Sequence, residues 1–460
     1  MMCFSLPVLP LTIKILCRLS MVSCLVVSSA LTSADVFAQG RLTAGPMVGH
    51  VDMREANIWV QTRTEADVRI LYRDSAQQGT VFSTSVIRTK HDDGRCATFR
   101  LREVEPGRTY YYDVEIDGTK ESRPYPTQFR TQPVWKWQTS NPPSATIALG
   151  SCFYVNETGY ERSTGGYGSD EDIFLALHNK RPDVMLWLGD NVYLREADWN
   201  SRSGIEKRYS HTRSLPQLQP LLASTAHYAT WDDHDYGPND SDRSWWGKRS
   251  ARDVFMQFWP NPSYGIDGIN GITSQFSLID VDVFLLDDRW FRSPDHRKDD
   301  SSTILGEEQY QWLVDVLASS TATFKIVAVG SQFLTTDTRK ESFARMPFER
   351  ERIIKAITDN KIRGVVFVSG DIHAAELSRR DREGTYPLFE LTSSSLTAGS
   401  NKNIADQPNE RRVEGKTFGE HNFGLITVSG PTKSRVLSLA IHNIRGERVW
   451  GIDLNEADLK

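Results

Sequence analysis

Residues 184–194 read VMLWLGDNVYL. An unbroken apolar run and one glycine lead directly into Asp190, Asn191 and Tyr193. The run is too short for a helix and has no polar face, so it reads as a strand buried on both sides. Whether this defines the fold depends on whether other strands end the same way, and they do. The run 146-TIALG-150 leads into Ser151-Cys152, and 227-HYATW-231 into Asp232-Asp233-His234-Asp235. The run 281-VDVFLLD-287 is followed by Asp288-Arg289, 325-KIVAVG-330 by Ser331-Gln332, and 364-GVVFVSG-370 by Asp371-Ile372-His373. Amphipathic helical stretches at 171–180, 307–319 and 349–361 separate several of them. Buried strands alternating with such helices predict an α/β domain whose ligand site lies beyond the strands' carboxyl ends.

Residues 43–131 are different. Short alternating runs such as 56-ANIWVQT-62, 67-DVRILYR-73 and 110-YYYDVEID-117, broken by turn signals, predict a β-sandwich. Tyr110 or Tyr112, after the Pro106-Gly107 turn, is placed either as a tyrosine-corner residue or as a plain strand aromatic. A Pro-rich linker is expected over 132–145, and the catalytic domain over 146–460, with further strands at 423–430 and 435–443. Residues 1–38, with Lys14 and Arg18 ahead of a weakly polar run that ends Val36-Phe37-Ala38, read as a secretory signal. The protein is therefore expected to be secreted or periplasmic. No later segment is apolar enough to span a membrane.

The net charge of −5 gives no basic footprint for nucleic acid. Of five cysteines, Cys3, Cys17 and Cys24 fall in the signal, which leaves Cys96 and Cys152 and no disulfide framework.

The chemistry lies in the strand tips. Carboxylates gathered at neighbouring strand ends repel one another unless a cation sits among them, so Asp190, Asp233 and Asp371 imply metal. Cys152 and Tyr193 are anionic donors when deprotonated, and a highly charged ion keeps them so. The oxygen-rich positions suit a hard divalent ion such as Ca²⁺ or Mg²⁺. Asp190, first after its strand, is the natural bridge between two ions, an arrangement suited to hydrolytic displacement at phosphorus. Each residue alone has a plainer reading: Cys152 a buried thiol, Tyr193 a core aromatic, Asp233 a helix cap, Arg289 the ion-pair partner of Asp288, His373 a satisfied interior histidine. Four strand ends with metal-competent residues together exceed that background.

These residues resemble the metallophosphoesterase pattern. Asp190 and Tyr193 match the Gly-Asp-x-x-Tyr element of purple-acid-phosphatase-like enzymes, and Asp233-His234-Asp235 resembles their Gly-Asn-His-Asp/Glu element. Gly370-Asp371-Ile372-His373 resembles Gly-His-x-His, and Cys152 stands where the first Asp would be. Those departures are similar to the PhoD-like (alkaline phosphatase D) family, as are Leu286-Asp287-Asp288-Arg289, 392-TSSSLTAG-399 and Asn422-Phe423-Gly424. The resemblance implies a β-sheet sandwich flanked by helices, rather than one doubly wound sheet, with a fibronectin-like N-terminal β-sandwich. It implies one Fe³⁺ with Ca²⁺ companions. Cys152, Asp190, Tyr193 and His373 would surround the iron, with Asp190 bridging. Asp233 and Asp371 would face Ca²⁺, in competition with Asp232 and Asn239.

The expected function is hydrolysis of phosphate esters, monoester or diester, by an exported alkaline phosphatase or phosphodiesterase using a metal-bound hydroxide. The substrate would be a small phosphate ester or a phosphodiester polymer. Arg289 would hold the phosphate. His234, oriented by Asp235, would stabilise the transition state or protonate the leaving oxygen. The rivals are a hydrolase with Cys152 as nucleophile and a secreted Ca²⁺-dependent binding protein without turnover. A serine hydrolase is disfavoured by the missing Gly-x-Ser-x-Gly elbow, and no Walker motif is present.

Overall fold

The computed structural model describes residues 40–460, apart from 78, 139, 140, 162, 164, 269, 298 and 300. The expected signal at 1–38 and its three cysteines lie outside the described residues. Residues Gly40–Lys460 form one compact unit.

The first nine strands are β1 (Leu42–Val51), β2 (Ala56–Thr62), β3 (Asp67–Asp74), β4 (Phe82–Ser83), β5 (Ile87–Arg88), β6 (Cys96–Leu101), β7 (Thr109–Ile116), β8 (Thr119–Glu121) and β9 (Gln128–Arg130). They pair as β1-β2-β6 and as β4-β3-β7-β8, with β5 on β3 and β9 on β7. The alternation read from the sequence is realised in β3 and β7, where every second side chain is buried. The Tyr110 hydroxyl accepts the Glu105 N–H at 2.8 Å, closing the turn before β7. Tyr112 points elsewhere, donating to the Ala223 carbonyl at 2.9 Å. Trp59 Nε1 donates to Gln257 O at 2.9 Å, so this β-rich segment is stitched to the rest of the chain by side chains as well as packing.

The remaining strands are β10 (Ala145–Gly150), β11 (Val184–Leu188), β12 (Ala226–Thr230), β13 (Ser274–Leu278), β14 (Val281–Leu285), β15 (Phe324–Ala328), β16 (Val365–Ser369), β17 (Ala375–Arg382), β18 (Thr385–Thr392), β19 (Arg412–Phe418), β20 (Asn422–Ser429), β21 (Val436–Asn443) and β22 (Arg448–Asn455). They form two sheets, ordered β12-β11-β10-β20-β21-β22 and β13-β14-β15-β16-β18-β17-β19. β10, β11 and β12 run parallel, as do β14, β15, β16 and β18. One α/β segment is therefore built from two stacked sheets, the sandwich the resemblance implied.

The near-continuous apolar runs follow from this layering, because a strand between a second sheet and a helix layer must be apolar on both faces. Ile147, Leu149, Leu186 and Leu188 share a core with Val283, Leu285, Ile326 and Val366 of the opposite sheet. The alternate residues Ala148, Met185 and Trp187 pack instead with Phe174 and Leu177 of helix Ile173–Asn179 and with Phe255 and Phe258 of helix Lys248–Phe258. Three cross-links tie the strand tips together. Thr230 Oγ1 donates to Leu286 O at 2.5 Å, Gly370 N to Gly330 O at 2.8 Å, and Trp231 Nε1 to Asp287 Oδ1 at 2.7 Å.

Candidate metal centre

Four residues at these tips share an uncommon backbone. Cys152, Asp190, Asp371 and His373 have φ of 57°, 51°, 69° and 58°. A side-chain-bearing residue in the left-handed region costs about 1–2 kcal/mol, and such residues cluster where surrounding structure fixes a site. Here the fixing bonds are Phe153 N to Asp190 O at 2.8 Å, Ala398 N to Cys152 O at 3.0 Å and Asn401 N to His373 O at 2.7 Å. The glycine before Asp190 is required: a Cβ on Gly189 would lie 2.6 Å from Asp232 Cβ, at a φ of +85°.

The turns deliver three adjoining groups of ligand atoms, each group within 4.8 Å of itself: Cys152, Asp190 and His373; Asp190, Asp233 and His234; and Asp233, Asp240 and Glu341. Asp190 belongs to the first two and Asp233 to the last two, so two carboxylates link three candidate positions in a row. Cys152 Sγ lies 3.5 Å from Asp190 Oδ2. The Tyr193 hydroxyl lies 3.0 Å from His373 Nε2, on the edge of the first group. His373 Nδ1 faces the Gly399 carbonyl, which assigns its proton to that nitrogen and turns the Nε2 lone pair toward the cluster. Asp371 stands beside these groups, its backbone carbonyl 3.7 Å from Cys152 Sγ.

The electrostatics show what the cluster lacks. Burial, and then Cys152 and Asp233, push the Asp190 carboxyl well above its ordinary range. Burial and Asp233 raise Asp371 to about 7. Burial also raises the Cys152 thiol and the Tyr193 phenol. Burial acts against ionisation of Asp233 too, but Arg289 and the Asp240 backbone N–H oppose it, and that carboxyl stays low. His234 and His373 are both lowered by burial, which keeps their imidazoles neutral and able to offer a lone pair. A set of buried carboxyls, thiol, phenol and neutral imidazoles without enough cations of its own fits multivalent metal.

Two expected roles are not what the geometry shows. Asp235 does not orient His234: its carboxylate accepts the backbone N–H of Asn191 at 3.0 Å and of Asp232 at 3.0 Å, and the Tyr209 hydroxyl at 3.4 Å. It braces the Asp190 turn against the Asp233 turn. Arg289 is not free for phosphate: its guanidinium pairs with Asp232 through two nitrogens and with Glu341 at 2.7 Å, all fully or almost fully buried. Asp232 is thereby a counter-ion and not a member of the three groups. Asp240 and Glu341 were not picked out in the sequence. Asp240 closes the Gly237-Pro238-Asn239 turn just after the Asp-His-Asp element, a turn signal beside a known tip. Glu341 sits in the loop after β15 with no local mark.

Comparison with known proteins agrees with this picture. Residues 158–429, more than half of the chain, match the PhoD-like phosphatase family, and residues 39–134 match a domain of unknown function, DUF7800. The chain belongs to the PhoD-like phosphatase family. The matched span contains every residue of the three groups except Cys152. The chain is 25% identical over 362 residues to alkaline phosphatase D of Bacillus subtilis (strain 168), a match that covers 65% of this chain and 60% of the relative. A solved structure of PhoD superposes with a TM-score of 0.72 at 18% identity, covering 91% of this chain and 90% of that one. A purple acid phosphatase from yellow lupin (Lupinus luteus) seeds superposes at 0.63 and 13% identity, covering 89% and 74%. The last two likenesses establish the fold.

Proposed function

We propose that this protein is a phosphoric ester hydrolase of the alkaline phosphatase D type, acting on phosphate mono- or diesters at a multinuclear metal centre. The observation that carries the reading is the row of three ligand groups joined by Asp190 and Asp233. The donor chemistry supports a division of metals. Cys152, Asp190, Tyr193 and His373 offer a thiolate, a carboxylate, a phenolate and an imidazole, which suits Fe³⁺. Asp233, Asp240 and Glu341 offer only carboxylate oxygens, which suits Ca²⁺, and Asp371 is a further carboxyl-bearing residue beside the first set. Bound there, the metals supply Lewis acidity at the phosphoryl group and acidify the attacking water.

The chain's own residues do the rest. Asp190 and Asp233 hold neighbouring positions at fixed spacing, which sets the line of attack. His234, neutral through burial, has one N–H to donate toward the phosphoryl or leaving oxygen. Arg289 acts through Asp232 and Glu341 as a positioning residue. Export belongs to the same proposal and rests on the sequence of residues 1–38; among the described residues no helix is long and apolar enough to cross a membrane.

The test is hydrolysis of an aryl phosphate monoester and a bis-aryl diester by iron- and calcium-replete protein, with Asp190→Ala alongside. Turnover lost in the variant supports the reading. A wild-type protein with its metals bound and no turnover of either ester overturns it in favour of a binding protein. Turnover by metal-stripped protein that depends on Cys152 would favour the cysteine-nucleophile reading.

A further inference from the structure

With Arg289 occupied by Asp232 and Glu341, a side-chain cation for the substrate has to come from elsewhere. A small cleft beside the metal centre is lined by Lys340, Glu341, Ile372 and Arg412, among others. Arg412 is engaged with Glu376 at 2.8 Å, and Glu341 with Arg289 and Arg292. Lys340 is exposed, and among the described residues its ammonium makes no hydrogen bond or ion pair.

The backbone that carries it is nonetheless held firmly. Arg339 pairs with Asp337 at 2.8 Å, and Ser342 Oγ donates to Asp337 O at 3.1 Å. Phe343 N donates to Gln332 O at 2.9 Å, and Arg345 donates to Arg339 O at 2.7 Å. Lys340 is thus a free ammonium on a pinned loop, next in sequence to the buried Glu341 of the third ligand group. Ile372, which lines the same cleft, lies between Asp371 and His373 in the chain.

We propose that Lys340 binds a terminal phosphate oxygen and biases this protein toward phosphomonoesters. The inference rests on the phosphoesterase reading above. At neutral to alkaline pH a monoester carries two negative charges and a diester one. Once two oxygens face the buried groups, a monoester still has an anionic oxygen to present to the open side. In a diester that oxygen bears an organic group. An ammonium on a flexible stem binds such an oxygen as a point charge, whatever the exact pose.

The experiment compares wild type, Lys340→Gln and Lys340→Arg on the same two esters, and measures the dissociation constant of inorganic phosphate by calorimetry at low and high salt. In Lys340→Gln, kcat/KM for the monoester should fall about tenfold, mainly through KM, while the diester changes less than about twofold. Phosphate affinity should weaken by a similar factor, with a shallower salt dependence, and Lys340→Arg should restore most of both. Equal losses on both esters accompanied by metal loss would mean that Lys340 merely balances Asp371 or Glu341, and would overturn the proposal. Unchanged phosphate affinity would also overturn it. If the wild type turns over neither ester, the phosphoesterase reading fails on its own, and phosphate binding still decides the role of Lys340.

Discussion

Replacing Asp190 with Asn should stabilise the metal-free protein and remove the part of its metal stabilisation that runs through the two groups Asp190 joins. Asn keeps the shape of the side chain and removes its charge. In the metal-free chain Asp190 is 1% exposed and faces Cys152 and Asp233, and its carboxyl is pushed well above the ordinary range by burial and those neighbours. Removing such an uncompensated acid should gain on the order of 1–3 kcal/mol. In the metal-bound protein the same carboxylate serves two of the three groups, so the variant should lose the linkage energy of those two. That energy is about 4 kcal/mol at a metal concentration a thousand times the dissociation constant. For a folded unit of ~420 residues, Gly40–Lys460, the unfolding entropy makes each kcal/mol worth about 1 °C in Tm. Thermal unfolding with and without chelator, read beside elemental analysis, separates the terms. Wild type should drop by several degrees on chelation. Asp190→Asn should respond less to chelator than wild type, keeping only the share of the Asp233, Asp240 and Glu341 group, and should melt above wild type when both are chelated. A chelated variant that melts below chelated wild type, or a variant that keeps the full metal content and full chelator response of wild type, would refute the reasoning.

Other consequences are independent of that one. Tyr193→Phe should leave the melting temperature of the metal-free protein within about 1 °C and remove visible absorption from iron-loaded protein, since only the phenol oxygen is lost; a spectrum unchanged from wild type would place Tyr193 off the iron. Arg289→Met should destabilise the fold by about 3–5 kcal/mol in denaturant unfolding, because it strands Asp232 and Glu341 as buried charges. The Asp235 carboxyl is raised from 3.8 to about 7, burial outweighing its hydrogen bonds. A raised carboxyl binds more protons folded than unfolded, so its contribution is complete below about pH 4 and is lost as pH rises to about 7, on the order of 4 kcal/mol at the full shift. Denaturant unfolding of chelated protein at pH 5 and pH 8 should show the part of that loss above pH 5, about 3 kcal/mol, and Asp235→Asn should flatten it.

Much of this site was legible because its strands had to be apolar on both faces. Runs such as 184-VMLWL-188 and 365-VVFVS-369 therefore announce themselves and point at the residues that follow. The pairing of the sheets was not legible. β10 joins β20 through Ala145 opposite Val428, contacts nearly the whole catalytic segment apart, and no local pattern encodes that choice. Helix Arg202–Arg213 escaped notice because it buries Arg208 and Arg213 beside Ile205 and Tyr209, so its inward face does not read as apolar. Arg213 is held there by stacking, 3.9 Å over the Trp259 ring. Trp246 is 69% exposed while Trp259 is buried, a difference that residue type alone does not mark. Asp235 and Arg289 show the same limit at the site. Residue type shows that a carboxylate or a guanidinium is present, but only the fold shows that the first braces two turns and the second already has its partners. Glu341 is the converse case, placed in the third group by a loop whose course depends on contacts with Asp295, Arg292 and Arg345.

The most direct test of the account is diffraction from crystals of the purified protein, recorded on both sides of the iron absorption edge, together with elemental analysis. The account predicts an anomalous peak among Cys152, Asp190, Tyr193 and His373 that vanishes below the edge. Calcium should appear as separate density beside Asp233, Asp240 and Glu341. Metal-replete crystals with no density between these side chains, or with iron bound elsewhere, would contradict it.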